Sequence, residues 1–444
     1  MKTTPINTTM MNAITTYLLV SATAAGLLLA GAARAQPTIY PAKDQTQPVA
    51  ITGATIHVGN GTVIEQGTLV FEQGKITYVG GATDAPAGAM VVDATGKHVY
   101  PGFIAPNTNL GLVEVEAVRA TVDDAEVGEN NAHVRSLVAY NTDSKVINTL
   151  RSNGVLLAQV TPQGGLVSGQ SSVVQLDAWN WEDAAYTVDE GVHIHWPTVR
   201  FAQYGGGAAY TDAQKEQVQA DIIQLEDFLR QAKAYAELGE APVSNARFEA
   251  FNPVFAGDRQ VYVHANKATD IIAAVSTLKR HGITPVLVGG TEAHLVTDLL
   301  VDNGVPVIMG QPHALPYATD VDVYLPYKQA KILSDAGVLV AYGIAGFWQQ
   351  RNLPFMAGTA AAYGLDKEQA LATITSNTAK ILGIDDRTGT LEVGKDANII
   401  VSGGDALDML GNDIQRAFIQ GRDIDLDDLH KQLFERYEFK YGLK

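Results

Sequence analysis

KHVYPGFIAPNTNLGL, residues 97–112, is the stretch on which the reading of the whole chain turns. It reads as a short apolar strand that enters at Pro101-Gly102, runs through Phe103 and Ile104, and ends on Asn107 and Asn109. On a strand, residues two apart point to one face. Side chains so placed at the C-terminal end of a barrel strand project together into the mouth, where barrel enzymes carry their chemistry.

On the N-terminal side, short β-rich runs alternate with glycine: Ala50–His57, Gly67–Phe71, Lys75–Val79 and Met90–Asp93, with a hairpin turn at Glu72-Gln73-Gly74-Lys75. Successive strands without helical spacing predict an antiparallel sheet. His57 and His98 fall within it and read as surface or packing histidines. A partner lies near the other end, where Thr388–Val401 reads as strand, tight turn, strand, and Arg416–Arg422 as a further strand and turn.

Between these ends, apolar strands alternate with amphipathic helices. The strands are Val155–Val160, Val173–Leu176, Val261–His264, Pro285–Val288, Pro306–Met309 and Val338–Ala341. The helices are Asp212–Leu238, Asp270–His281, Ala293–Asp302 and Tyr327–Ala336. Continuous apolar strands each followed by a helix predict a parallel sheet covered on both faces, here an α/β fold with a (β/α)8 TIM-type barrel. Glu114–Tyr204 is irregular for such a barrel, and its Trp179–Asp183 loop reads as pocket-shaping, or else as a lid or dimer surface.

The 444 residues suffice for a barrel of about 250 residues and an accessory domain. A formal charge of −17 argues against nucleic acid or an anionic membrane as partner. The chain has no cysteine, which removes disulfides, thiolate metal sites and a cysteine nucleophile. Neither a Gly-x-Ser-x-Gly elbow nor a P-loop is present, and Gly205–Gly207 reads as a flexible joint. Residues 1–35 read as a secretory signal peptide, with an apolar run from Ala13 to Ala30 and an A-x-A site at Ala33-Arg34-Ala35. Export to a bacterial periplasm is the expected address.

Pro-Gly-Phe-Ile at residues 101–104 resembles the first-strand signature of the amidohydrolase superfamily, its imidazolonepropionase-like branch in particular. Gly389, Leu391, Glu392, Gly394, Lys395 and Ala397 are similar to the phrase that closes that family's composite β-sandwich. The resemblance implies a β-sandwich made from both ends of the chain and enclosing the barrel. The domains expected are the signal at 1–35, sandwich at 36–99, barrel at 100–386, sandwich again at 387–425 and a helical tail at 426–444.

It also implies a divalent metal, zinc above all, held by two histidines on strand one, a carboxylated lysine or a glutamate on strand three or four that no residue here can be assigned to, histidines on strands five and six, and an aspartate on strand eight. His264 matches the strand-five position and His294 the strand-six position. Asn107, Asn109 and Ala345 stand where the other ligands would be, and Glu292 is a weaker metal candidate. His193-Ile-His195 is the one His-x-His of the sequence and reads as a loop or edge decoy, since Pro197 follows and no barrel strand is evident there. Two readings follow. One is a secreted hydrolase of C–N bonds in a small amide, cyclic amide or dipeptide-like substrate, with a reduced one-metal site and Asp183 as a candidate acid or base. The other is a catalytically silent barrel that binds a small ligand or a partner. Either is compatible with a homo-oligomer.

Overall fold

The computed structural model describes residues 39–199, 211–239 and 243–443. The signal-peptide reading of residues 1–35 and the Gly205–Gly207 joint lie outside them. From Pro41 onward the chain forms one compact unit.

Its first sheet contains β1 (Val49–His57), β2 (Val63–Glu72), β3 (Lys75–Gly80), β4 (Met90–Asp93) and β5 (His98–Pro101). The second contains β6 (Phe103–Thr108), β7 (Val155–Val160), β8 (Val167–Gln175), β9 (Ala185–His195), β10 (Gln260–Ala265), β11 (Val286–Gly289), β12 (Val307–Met309) and β13 (Val340–Tyr342). The chain then returns to the first sheet with β14 (Ile399–Ser402), β15 (Ile414–Ile419) and β16 (Arg422–Ile424).

The first sheet has the order β16-β15-β14-β5-β1-β2-β3, with β4 also paired to β1. It is mixed rather than antiparallel, because β4 and β5 both run parallel to β1. The connections from β3 to β4 and from β4 to β5 lead the chain back along β1 in the same direction, which the turn signals in the sequence do not encode. Ile51, Ile56, Leu69, Phe71, Val99, Ile399 and Phe418 pack together as its own core. Residues more than 300 positions apart thus meet as direct neighbours, as in Val401↔Val99.

The second sheet runs in the order β13-β12-β11-β10-β9-β8-β7-β6 and is a nearly closed barrel. Seven strands are parallel; β8 is antiparallel to both β7 and β9. The two edge strands are joined outside the ladder. Ile104 N–H donates to the Ile374 carbonyl, Tyr342 N–H to that of Thr373, and Asn109 N–H to that of Ala345.

Helices cover the outer face, among them Asp212–Glu237, Ala268–Arg280 and Leu325–Asp335. The helix expected from Ala293 to Asp302 is broken into a 3-10 turn, Ala293–Leu295, and a helix, Thr297–Asp302.

Strand alternation divides the barrel interior into layers. Ile104, Leu157, Val173, Tyr262, Val286, Val288, Ile308 and Ala341 pack as one inner cluster. Two residues further toward the mouth the inward side chains turn polar: Gln159 on β7, Ser171 on β8 and His264 on β10. β5 leads directly into β6, and Tyr186 at the start of β9 donates to Asp396 at 2.5 Å, so the composite sheet abuts the opposite end, where the parallel strands begin.

Candidate active site

His193-Ile-His195 lies at the end of a central barrel strand, which corrects the reading of it as a loop or edge. β9 pairs in parallel with β10, bringing Tyr262 beside His193 and His264 beside His195. The sequence signal is weak because β9 is bulged against β8 and Asp189 takes a left-handed backbone, φ +50°. Gly191 is required on this strand: a Cβ there would lie 2.1 Å from the Tyr262 ring.

The three imidazoles meet. His193 Nδ1 is 2.9 Å from His264 Nε2, and the His195 ring stacks on that of His264 with centroids 4.2 Å apart. His193 Nε2 is 2.9 Å from Ser171 Oγ, which donates to Glu190 Oε1 at 2.5 Å. Gln159 Nε2 donates to the same carboxyl oxygen at 2.7 Å, and Tyr262 hydroxyl donates to Glu190 Oε2 at 2.8 Å. Gln159 Oε1 accepts the Asn107 N–H at 2.8 Å, tying strand one to the network.

One proton assignment satisfies this chain. An ionised Glu190 only accepts, so Ser171 gives its hydrogen to it and receives the Nε2–H of His193. His193 Nδ1 then accepts the Nε2–H of His264, leaving Nδ1 of His264 as the acceptor. Burial, aided by the neighbouring imidazoles, holds His193 and His264 well below the usual histidine range, so both are neutral. Burial pushes the Glu190 carboxyl up, against the bonds from Ser171, Gln159 and Tyr262. Glu190 is therefore a poorly solvated anion placed to take a proton.

The remaining candidates do not join this chain. His294 stands on the 3-10 turn beyond β11, its ring centre 6.4 Å from that of Tyr317. Glu292 Oε2 accepts the Ala268 N–H at 2.8 Å and so caps the helix Ala268–Arg280, where a carboxylate complements the dipole. Asp183 belongs to the short helix Trp181–Ala184 that links the end of β8 to the start of β9. Because β8 is antiparallel, this link and the Trp179–Asp183 loop lie at the end opposite the histidines, and the Asp183 carboxylate accepts the Trp179 N–H at 2.9 Å. The candidate acid or base is thus displaced from the mouth by one reversed strand.

Asn107 adopts a left-handed backbone, φ +52°, which Asn tolerates better than most residues. Its side-chain oxygen and that of Asn109 are buried without a donor, while Asn109 Nδ2 donates to Asp124 at 3.1 Å. Sequence reading missed Gln159, Ser171, Glu190 and Tyr262. Gln159 could have been found as the one polar residue in the buried run Val155–Val160, and Glu190 as a carboxylate ahead of an apolar His-x-His.

The residue pattern matches the family model described as amidohydrolase family over residues 208–422. An imidazolonepropionase of Symbiobacterium thermophilum is 25% identical over 371 residues, spanning 76% of this chain and 84% of the relative. One from Staphylococcus saprophyticus is 24% identical over 375 residues, 78% and 85% of the two chains. Among solved structures, an amidohydrolase from Thermotoga maritima superposes with a TM-score of 0.74 at 23% identity, covering 85% of this chain and 99% of that one. A prolidase complexed with N-methylphosphonate-L-proline gives a TM-score of 0.52 at 15% identity, covering 85% and 100%. Residues 208–422 thus carry the amidohydrolase family pattern, and over about three quarters of its length the chain is imidazolonepropionase-like.

Members of the family are generally metal-dependent. The side chains present do not fit that metal centre. Among the described residues no group of three or more His, Asp or Glu is arranged to hold an ion. His264 Nε2 and both nitrogens of His193 are committed to one another and to Ser171. Amide oxygens at Asn107 and Asn109 are weak donors for zinc, and Ala345 offers no donor. The imidazoles that His264 contacts are those of His193 and His195.

Proposed function

We propose that the chain hydrolyses the C–N bond of a small amide, cyclic amide or dipeptide-like substrate at the C-terminal mouth of the barrel, with His264 as the base. The observation that carries this reading is the hydrogen-bonded chain from His264 through His193 and Ser171 to Glu190. A base whose far nitrogen is held by an oriented partner follows the logic of nucleophile-activating triads. His264 Nδ1 removes a proton from water as the oxygen attacks the substrate carbonyl. The Nε2 proton moves to His193 Nδ1, the His193 Nε2 proton to Ser171, and the Ser171 proton to Glu190. Charge ends as a neutral buried carboxylic acid, and reversal of the chain returns the proton to the departing amine.

The test is turnover of amides, cyclic imides and dipeptides with and without a chelator. Turnover indifferent to chelator, and about 100-fold or more slower in His264→Asn, is expected. Activity lost to chelator and restored by zinc would overturn the relay. A second reading is favoured by Ala345, which leaves the last barrel strand without a carboxylate at the mouth. In it the barrel binds such a ligand without cleaving it, and the same assays return binding with no turnover. Export is part of the proposal: cleavage after Ala35 would start the mature chain at Gln36, a matter for N-terminal sequencing of the exported protein.

A further inference from the structure

β11, β12 and β13 end on Gly289, Met309 and Tyr342, and a cavity of about 90 Å³ is lined by all three strand ends. It is separate from the relay. Met309 and Tyr342 pack with the outer core that the helices cover, whereas their neighbours Ile308 and Ala341 turn to the barrel axis. Leu325, which opens the helix Leu325–Asp335, is part of the opposite wall. Leu315 and Tyr317 stand on the solvent side, exposed by 89% and 41%.

The hydroxyl of Tyr342 is a group that the fold does not use. Only 1% of this residue is exposed, yet the hydroxyl has no hydrogen-bond partner among the described residues. Leaving a buried hydroxyl unpaired is costly, and a phenylalanine of the same shape avoids that cost. Burial alone pushes its pKa up, so the hydroxyl is neutral and can both donate and accept. Tyr342 is itself part of the lining, so a guest in the cavity meets its side chain. The described lining residues include no charged side chain, and Met309, Leu325 and Leu315 make the walls apolar. An uncharged, largely apolar guest with one oxygen fits that surface. We infer that the cavity binds a small uncharged ring bearing a single hydroxyl, which pairs with the Tyr342 hydroxyl while the ring lies against Met309 and Leu325. The space equals about three waters at about 30 Å³ each, so a six-membered ring fills it and leaves its outer edge between Leu315 and Tyr317. This site goes beyond the hydrolytic reading and stands without it.

The experiment is an NMR titration of the full chain, isotope-labelled at the methionine methyls, with phenol and with benzene, which lacks only the hydroxyl. The Met309 signal, assigned by its loss in Met309→Leu, reports the cavity through the ring current of the guest. Phenol is expected to shift it and to bind about fivefold tighter than benzene. In Tyr342→Phe that margin should close or reverse, because the phenol hydroxyl then enters without a partner. The same variant should unfold at a urea concentration no lower than wild type, since the hydroxyl it removes bonds nothing in the fold. The wild-type comparison needs no variant to fold. No Met309 shift with either probe at millimolar concentration, benzene binding as tightly as phenol, or a margin that survives in Tyr342→Phe overturns the inference. A lower urea midpoint in Tyr342→Phe does so too, because it gives the hydroxyl a structural role.

Discussion

Acidification should unfold this protein through two residues in particular. His193 and His264 are held neutral well below the usual histidine range by burial, so the folded chain binds fewer protons there than the unfolded chain. Their contribution is present in full above the unfolded value of about 6.5 and is lost as pH falls below it. For one imidazole that stays neutral, the loss between pH 7.5 and 5 is about 2 kcal/mol, and for two about 4 kcal/mol. Domains are commonly stable by only about 5–15 kcal/mol, so this is a large share. Glu190 acts in the opposite sense. Its raised carboxyl weakens the fold as pH rises through the folded value, and acid relieves that strain and trims the net loss. Urea unfolding followed by far-UV circular dichroism at pH 7.5, 6.5, 6.0 and 5.0 gives the curve directly. The His193→Gln/His264→Gln variant should lose most of the slope, leaving what the partly exposed His98, His281 and His294 supply. Equal stability at pH 5 and 7.5, or an unchanged slope in the double variant, would refute the reasoning.

Three further outcomes are expected. Ser171→Ala orphans the His193 N–H and removes one of three donors to Glu190; it should cost about 1–3 kcal/mol by urea unfolding and lower kcat more than it raises KM. Asp177→Ala leaves the buried Arg151 and Arg422 without their shared carboxylate, and a loss of about 3–5 kcal/mol in the same assay is the anticipated result. Asp183→Asn, at the other end of the barrel, should leave kcat/KM within about twofold of wild type.

Much of the fold was legible because its signals are local. Val155–Val160 and Val261–His264 are apolar runs of strand length, and Thr388–Val401 with Ala50–His57 carries turn chemistry at both ends of one sheet. Parallel pairing of β4 and β5 to β1 was not legible, since strand direction depends on contacts remote in sequence. The place of His264 at the end of a barrel strand was legible, because the run before it is clean, whereas that of Asp183 was not, because it depends on the single reversal at β8. His193 and His195 were hidden by a bulge that breaks the period-two pattern. Ser171 and Glu190 give no motif, because their role arises from facing one another across two strands.

The seating of β14 between β5 and β15 bears on the order in which the molecule can be made. During synthesis β5 emerges with one edge bare, and Val99 and Tyr100 stay without their partners Val401 and Ile400 until some three hundred further residues have followed. The ladder that completes the first sheet is therefore a late event with high sequence separation, of the kind that folds slowly and exposes a sticky edge meanwhile. A nascent chain stalled before Asn398 would hold a barrel that lacks the Asn398 carbonyl bonded to Gly102 N–H at the root of strand one. Release of the C-terminus, rather than completion of the barrel sequence, is the moment at which the mouth acquires a fixed floor beneath it.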